Sequence, residues 1–447
     1  MFLEDVLERH GPLEAIVDQD KRLNFNELAA AVSALACALQ DLGLQQGDRV
    51  VLWGENGWRW EVSAMACWWS GLVVVPISNR LKSLEVLPLL QELSPAAVVA
   101  GSDNQQRGLL QSLRSFLDDR GEMLEDCLPD SPHVINLGGA AGGPGHSWDQ
   151  LLQQYAGRSV GACRETGADD TCLILFTSGT TGKPKGVASR HGAILRSFMQ
   201  LMDDSERPGD RIILSTPLSH MYGQYTMVRS LMQGVCQVFV TGTAAEDIAS
   251  LIRRENINQL SGPPSLFQQL LMLEVAGRNA LHGVRKVSTG GAPLAENLVE
   301  RMSNSGVESL DVGYGLTEYP RVSRSRPDDS IAHICTTAGR PIPGTQIRIV
   351  DEDRRELPQG QVGEIVVQGF DMMQGYWGHG GTITPATDTE GWLHTGDLGR
   401  VLEGGFLQIV GRKKEMFISH GFNVYPAEVE NLLLKSGMLE AAVIISR

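Results

Sequence analysis

From Cys172 to about Glu318 short apolar runs alternate with helical patterns, and no other feature limits the possible folds as strongly. CLILF, RIILS, QVFVTG, VRKVSTG and ESLDVGYG read as strands. Between them GAILRSFMQLM, YTMVRSLMQG, AEDIASLIRREN and SLFQQLLMLEVA carry apolar residues at helical spacing. Antiparallel neighbours can be joined by two residues, whereas parallel strands need a crossover of helix length. Alternation at this spacing therefore predicts an α/β fold, a mostly parallel sheet covered by helices. The same texture appears earlier, where NFNELAAAVSALACALQDL predicts a helix over 24–42 stopped by Gly43, followed by the strand RVVLWG.

After about Gly339 the pattern changes to period two. TQIRIVDED, GEIVVQG and FLQIVGR are separated by Gly, Pro and acidic turns, which predicts a small antiparallel, barrel-like or hairpin layer. From Gly411 a new unit begins, with VYPAEVENLLLKSG as a helix and AAVIIS as one more strand, a fragment of a small α+β domain. The expected organisation is a large domain over 1–410, with subdomains of 1–165, 166–338 and 339–410, then a hinge and truncated C-terminal domain over 411–447. LGGAAGGPG, residues 137–145, reads as a surface loop or subdomain linker.

Bulk properties mainly exclude. A net charge of −15 argues against general binding to nucleic acid or anionic membrane. The longest apolar stretch, AMACWWSGLVVVPI, is broken by Ser70 and Gly71 and is too short to span a bilayer, so it predicts a buried helix leading into a buried strand. MFLEDVLERHG has no apolar core of a signal peptide, and the expected location is cytoplasmic. The 7 cysteines are scattered singly, with neither CxxC nor HExxH, so neither a disulfide framework nor a metal site is expected from ligand spacing.

Chemistry concentrates in LFTSGTTGKPKGV, residues 175–187. Glycines let backbone N–H groups turn inward around an anion, hydroxyls add donors, and Lys183 and Lys185 add positive charge. It is not a Walker A loop, because Pro184 follows the lysine. Further along come STPLSHMYG, STGGAPL, GYGLTE, GWLHTGDLG and GRKKE, in that order.

Taken together these segments resemble the adenylate-forming superfamily: acyl-CoA and aryl-CoA synthetases, peptide-synthetase adenylation domains and luciferases. The resemblance runs from about Asp5 to the last residue. It implies ATP-dependent activation of a carboxylic acid to acyl-AMP with release of pyrophosphate. Transfer to the thiol of CoA or of a carrier protein's phosphopantetheine follows. ATP and Mg²⁺ are the implied cofactors, a small carboxylic acid the substrate and an acyl carrier protein a possible partner.

By the same resemblance Thr177, Ser178, Gly179, Thr180, Thr181, Gly182, Lys183 and Lys185 form the phosphate loop. Gly290, Gly291, Ala292 and Pro293 lie along adenine, and Tyr314, with Gly315 beside it, stacks on it. Thr317 contacts phosphate, Glu318 holds Mg²⁺, Asp397 takes the ribose hydroxyls and Arg412 makes a second ribose contact. His220, Met221, Gly223, Gln224 and Gly313 border the acid, with Thr317, Glu318, Lys183 and His220 as the catalytic group. Lys414 stands at the hinge pivot.

Met221 occupies the position where amino-acid-activating relatives place an Asp to pair the substrate ammonium, so a fatty or aryl acid is favoured. Val312 stands where many relatives have Asn or Gln. Tyr319 and Pro320, with Arg321, Arg324 and Arg326 further along, are unusual enough to suggest an adapted pocket wall or partner surface, with solvated charge the favoured reading for the arginines. No PK-rich loop follows Lys435, although the resemblance implies one bearing the adenylation lysine. Truncation is the favoured expectation. The alternatives are a lysine from another polypeptide, or a protein that binds acyl-adenylate and makes it poorly. An amino-acid adenylation domain and a luciferase-type oxidoreductase are the competing enzymes.

Overall fold

The computed structural model describes residues 2–102, 108–128, 132–138, 145–159, 161, 166–177, 184–202, 205–240, 242, 244–277, 280–290, 294–419, 422–426, 429–430, 433 and 442–445. The chain forms two compact units, Met1–Ser261 with Met373–Pro385, and Gly262–Met372 with Ala386–Arg447. The fold is the α/β architecture expected from the alternation, with a separate small antiparallel sheet.

In the first unit one run of strands lies side by side in the order Gln259–Ser261, Arg211–Leu214, Cys236–Phe239, Glu14–Asp18 and Lys21–Asn24. All neighbours are parallel except the last pair. A second sheet of the same unit has the order Ile383–Thr384, Gly375–Trp377, Lys185–Arg190, Thr171–Thr177, Val73–Ile77, Arg49–Trp53, Ala97–Ala100, His133–Asn136 and His146–Ser147. Its core is aliphatic and aromatic, with Val51, Trp53, Val75, Leu90, Leu113 and Ile174 all buried. The helix Phe25–Asp41 begins with a capping box, Asn24 and Glu27 each accepting the other's backbone N–H. The apolar stretch becomes the buried helix Trp58–Trp69 and the buried strand Val73–Ile77. Among the described residues no helix is long and apolar enough to cross a membrane.

One pairing departs from simple crossover logic. Thr171–Thr177 is parallel to Val73–Ile77 but antiparallel to Lys185–Arg190. The phosphate-loop segment thus connects the arms of a hairpin, and Thr177 faces Lys185 across it.

In the second unit the strands Arg340–Pro341, Tyr319–Arg324, Ser309–Leu316 and Lys286–Gly290 lie side by side in that order. Tyr319–Arg324 is antiparallel to both of its neighbours, and Lys286–Gly290 is parallel to Ser309–Leu316. The period-two segments form an antiparallel sheet ordered Gln346–Val350, Gly363–Gln368, Leu393–Val401 and Leu407–Arg412, with Val350, Val366 and Trp392 packed together. A small hairpin, Phe417–Ser419 with Phe422–Val424, follows. Pro426, Val429, Glu430 and Leu433 are helical. The AAVIIS segment differs from expectation: residues 442–445 carry no strand, and the Ile444 N–H goes to the Glu430 carboxylate at 2.8 Å rather than to a strand neighbour. Of LGGAAGGPG, residues 139–144 lie outside the described residues.

Candidate functional site

The second unit gathers the residues expected around a nucleoside. Ser309–Leu316 and Tyr319–Arg324 form a tight hairpin whose two turn residues are Thr317 and Glu318. Tyr314, on the first arm, donates its hydroxyl to Asp397 Oδ2 at 2.6 Å. Asp397 and Arg412 are cross-strand partners, with Arg412 Nε 3.4 Å from Asp397 Oδ1. Gly290 lies beside Gly313 in parallel register, so close that a Cβ on Gly290 would meet the Gly313 carbonyl oxygen at 2.9 Å. Gly315 is exposed, and its missing side chain lets the Pro320 carbonyl approach.

Burial dominates the electrostatics of this group. It pushes the Asp397 carboxyl above its ordinary value, against the opposing pull of the Tyr314 hydroxyl and the Arg412 charge. The Tyr314 phenol is raised well above its usual range, first by burial and then by the neighbouring carboxylate. A carboxylate has about four acceptor positions, so Asp397 can hold Tyr314 and still accept the two hydroxyls of a ribose. The planar Tyr314 ring suits a purine, and the guanidinium of Arg412 suits hydroxyl or phosphate oxygens.

In the first unit the expected phosphate loop is described only at its ends. Thr177 and Lys185 are paired, with the Thr177 hydroxyl 3.5 Å from the Lys185 carbonyl. The Lys185 ammonium sits 4.8 Å from the centre of the Tyr376 ring. Ser178, Gly179, Thr180, Thr181, Gly182 and Lys183 lie outside the described residues, as do Gly291, Ala292 and Pro293 of the adenine segment.

The expected acid-binding residues open the helix Met221–Gln233. His220 is its N-cap, and its Nδ1 accepts the Tyr222 N–H at 3.2 Å. Gly223 is buried so tightly against the Pro217 carbonyl that a Cβ would overlap it, and the Gln224 side chain is spent on the Leu218 carbonyl. Met221 is buried and apolar, as an uncharged wall requires.

Sequence reasoning missed two groups and misjudged the arginines. Arg321 is not solvated: it is buried, runs beside Gly313 and donates to Asp311 at 2.8 Å. Arg324 is half-buried, 3.4 Å from the same carboxylate, and only Arg326 is exposed. The pattern D-x-G-x-G was a usable signal, since two glycines on one strand face clear a row that a long side chain can fill. The other group is Glu364, His394 and Lys413, close behind Asp397. Lys414, the expected pivot, is an exposed turn residue directly after it. Among the described residues no three His, Cys, Asp or Glu side chains come together as a metal cage. Mg²⁺ is commonly bound through one or two carboxylates together with substrate phosphates, and a single Glu318 fits that pattern.

The fold is α/β, and strands of the second unit group an aromatic ring and a guanidinium around the Asp397 carboxylate, a set suited to a nucleoside. The profile of the AMP-binding enzyme family matches residues 3–377, and the chain belongs to that family. It is 32% identical over 454 residues to 3-[(3aS,4S,7aS)-7a-methyl-1,5-dioxo-octahydro-1H-inden-4-yl]propanoyl:CoA ligase of Rhodococcus jostii (strain RHA1), covering 99% of this chain and 84% of the relative. It is 29% identical over 456 residues to the indoleacetate–CoA ligase of Aromatoleum aromaticum, covering 100% and 85%. Its fold matches the crystal structure of the anthranilate CoA ligase AuaEII in complex with anthranoyl-AMP, with a TM-score of 0.88 at 23% identity, over 100% of this chain and 84% of that one. ATP-bound MatB from Rhodopseudomonas palustris matches with a TM-score of 0.79 at 26% identity, covering 96% and 83%. The chain is an adenylate-forming acid–thiol ligase: it activates a small carboxylic acid with ATP and Mg²⁺ and passes the acyl group to a thiol.

Proposed function

We propose that the substrate is a fatty or aryl acid, that CoA is the acyl acceptor, and that the residues singled out in the sequence carry the roles the resemblance implies. The contact of Tyr314 with Asp397 at 2.6 Å is the observation that carries the nucleotide assignment. In this proposal Tyr314 stacks on adenine and Asp397 and Arg412 hold the ribose. Gly290, Gly291, Ala292 and Pro293 lie along adenine, with Gly315 beside Tyr314. Thr177, Ser178, Gly179, Thr180, Thr181, Gly182, Lys183 and Lys185 neutralise the departing pyrophosphate, with Thr317 on phosphate. Glu318 would hold Mg²⁺, which when bound would supply charge neutralisation of the phosphates. Bringing a carboxylate to a phosphate opposes two anions, so positioning and positive charge are the expected sources of rate.

The acid is then proposed to lie beside His220 and Met221, while Gly223 and Gln224 pack the start of their helix from within. Buried, apolar Met221 supports an uncharged pocket end, because an α-ammonium placed there would lose water and gain no carboxylate. CoA is favoured over a carrier protein because the named relatives are CoA ligases. The large domain is proposed to end near residue 410, with Lys414 as the pivot of the segment that follows.

Acid-dependent ATP–pyrophosphate exchange across a panel of fatty, aryl and α-amino acids tests the substrate class. Strongest exchange with an α-amino acid would overturn it. Thioester formation with free CoA against a phosphopantetheinylated carrier protein tests the acceptor, and transfer only to the carrier would overturn that choice. Tight acyl-adenylate binding with negligible exchange would instead support the binding-protein alternative.

A further inference from the structure

Glu364 is a buried carboxylate that the proposed chemistry does not use, and it touches both ends of a junction. It sits on the Gly363–Gln368 strand, 8% exposed, beside a register shift in its pairing with Leu393–Val401. One oxygen, Oε1, accepts the Gly396 N–H at 3.3 Å. Gly396 directly precedes Asp397. The other oxygen, Oε2, accepts the Lys413 ammonium at 2.9 Å. Lys413 directly precedes Lys414. The backbone closes the same circuit, since the Lys413 N–H donates to the Gly396 carbonyl at 2.9 Å.

His394 braces this group. Its Nδ1 lies 3.4 Å from Glu364 Oε2, and its Nε2 lies 3.4 Å from Asp388 Oδ2. Burial works to raise the Glu364 carboxyl, but the Lys413 hydrogen bond and charge, with His394 behind them, bring it below its ordinary value. The carboxylate is therefore charged, partly dry and committed to these partners, a combination that is costly to break on one side only.

We propose that Glu364 is a positioning residue that latches the ribose-binding turn at Gly396–Asp397 to the start of the hinge at Lys413, coupling nucleotide binding to the hold on the hinge. The latch rests on the proposed roles of Asp397 and Lys414. A nucleotide that fixes Asp397 fixes Gly396, and through Glu364 and the Gly396 carbonyl it fixes Lys413. The two ends can be separated. Losing the carboxylate disturbs both, whereas losing the lysine disturbs only the hinge end.

The test uses this chain with Glu364→Gln and Lys413→Met, and AMP and 2′-deoxy-AMP as probes. Calorimetry gives the ratio of the two affinities, which reports ribose gripping and is insensitive to a general loss of folded protein. Hydrogen exchange reads the Lys413 amide with and without AMP. In the wild type AMP is preferred and slows exchange at Lys413. Glu364→Gln should cut the preference by about 10-fold, the effect of losing one charge-assisted hydrogen bond, and should abolish the AMP-linked protection. Lys413→Met, at a half-exposed position, should keep the preference and weaken the protection at least several-fold. If Glu364→Gln fails to fold, Lys413→Met alone decides. Unchanged AMP-linked protection in Lys413→Met overturns the latch, as does an unchanged preference in folded Glu364→Gln. Failure of the wild type to bind AMP overturns the nucleotide-site assignment and the latch with it.

Discussion

Replacing Tyr314 by Phe removes one oxygen and leaves the ring that is proposed to stack on adenine. That oxygen donates to Asp397 at 2.6 Å, within the short range of hydrogen bonds to a carboxylate. Bonds to charged groups contribute about 1.5–3 kcal/mol, and the Asp397 side chain is only 15% exposed, so water repays little of the loss. Arg412 remains at 3.4 Å, but its side chain is 58% exposed and offsets a small part. The expected cost is about 2 kcal/mol at pH 8.

The sign of the pH dependence follows from burial. A carboxyl raised above its unfolded value lowers stability as it ionises, so stability falls as pH climbs through the folded pKa. The Tyr314 hydrogen bond softens that fall. Without it the Asp397 carboxyl rises further, and the gap between variant and wild type widens from acid to neutral pH. Urea unfolding read by hydrogen exchange of the Leu393–Val401 and Leu407–Arg412 amides, at pH 8 and at about pH 3, below the ordinary carboxyl value of about 3.9, measures the gap. A gap below about 0.5 kcal/mol at pH 8, or one independent of pH, would refute the reasoning, since a hydrogen bond to a charged group is worth more.

Two further substitutions test other parts of the structure. Glu61 is fully buried, accepts the Gln237 amide at 2.7 Å, and is pushed up from 4.5 to about 8 by burial. Its contribution is complete below pH 4.5 and is lost as pH rises to about 8. The wild type should lose about 1.4 kcal/mol per pH unit across that window relative to Glu61→Gln, with parallel profiles above it. Equal slopes in urea titrations would contradict this. Gly313→Ala would drive a methyl into the Arg321 guanidinium and off Asp311. Breaking a buried pair in this way costs about 3–5 kcal/mol. Calorimetric melting should show a clear drop, part of which Arg321→Met restores by removing the overlap. An unaltered melting temperature in Gly313→Ala would show that Arg321 does not fill the glycine row.

Much of the fold was legible because period and punctuation are local properties. Gly43 and Gly234 stop helices where the sequence says they should, and the period-two segments pair as an antiparallel sheet. The turn of the chain at the phosphate loop was less visible. Lys185–Arg190 returns antiparallel to Thr171–Thr177 and also pairs with Gly375–Trp377 from far along the chain. Motif order also anticipated that Tyr314, Asp397 and Arg412 would meet, although they come from three separate segments. What stayed hidden was burial of charge. Arg321 looks like surface charge until Gly313 is seen to vacate its place, and Glu364 looks like a strand-edge acid until Gly396 and Lys413 close on it. Such partners lie 10 to 49 residues apart, beyond any local periodicity.

The most direct test of the account is the fate of the acid's oxygen. With ¹⁸O in the carboxylate of an accepted fatty or aryl acid, ATP, Mg²⁺ and CoA, attack on the α-phosphorus leaves one labelled oxygen on AMP and none on pyrophosphate. Mass spectrometry should find that label in AMP, in proportion to acyl-thioester formed. Label in inorganic phosphate with ADP as the nucleotide product would contradict the adenylate-forming assignment.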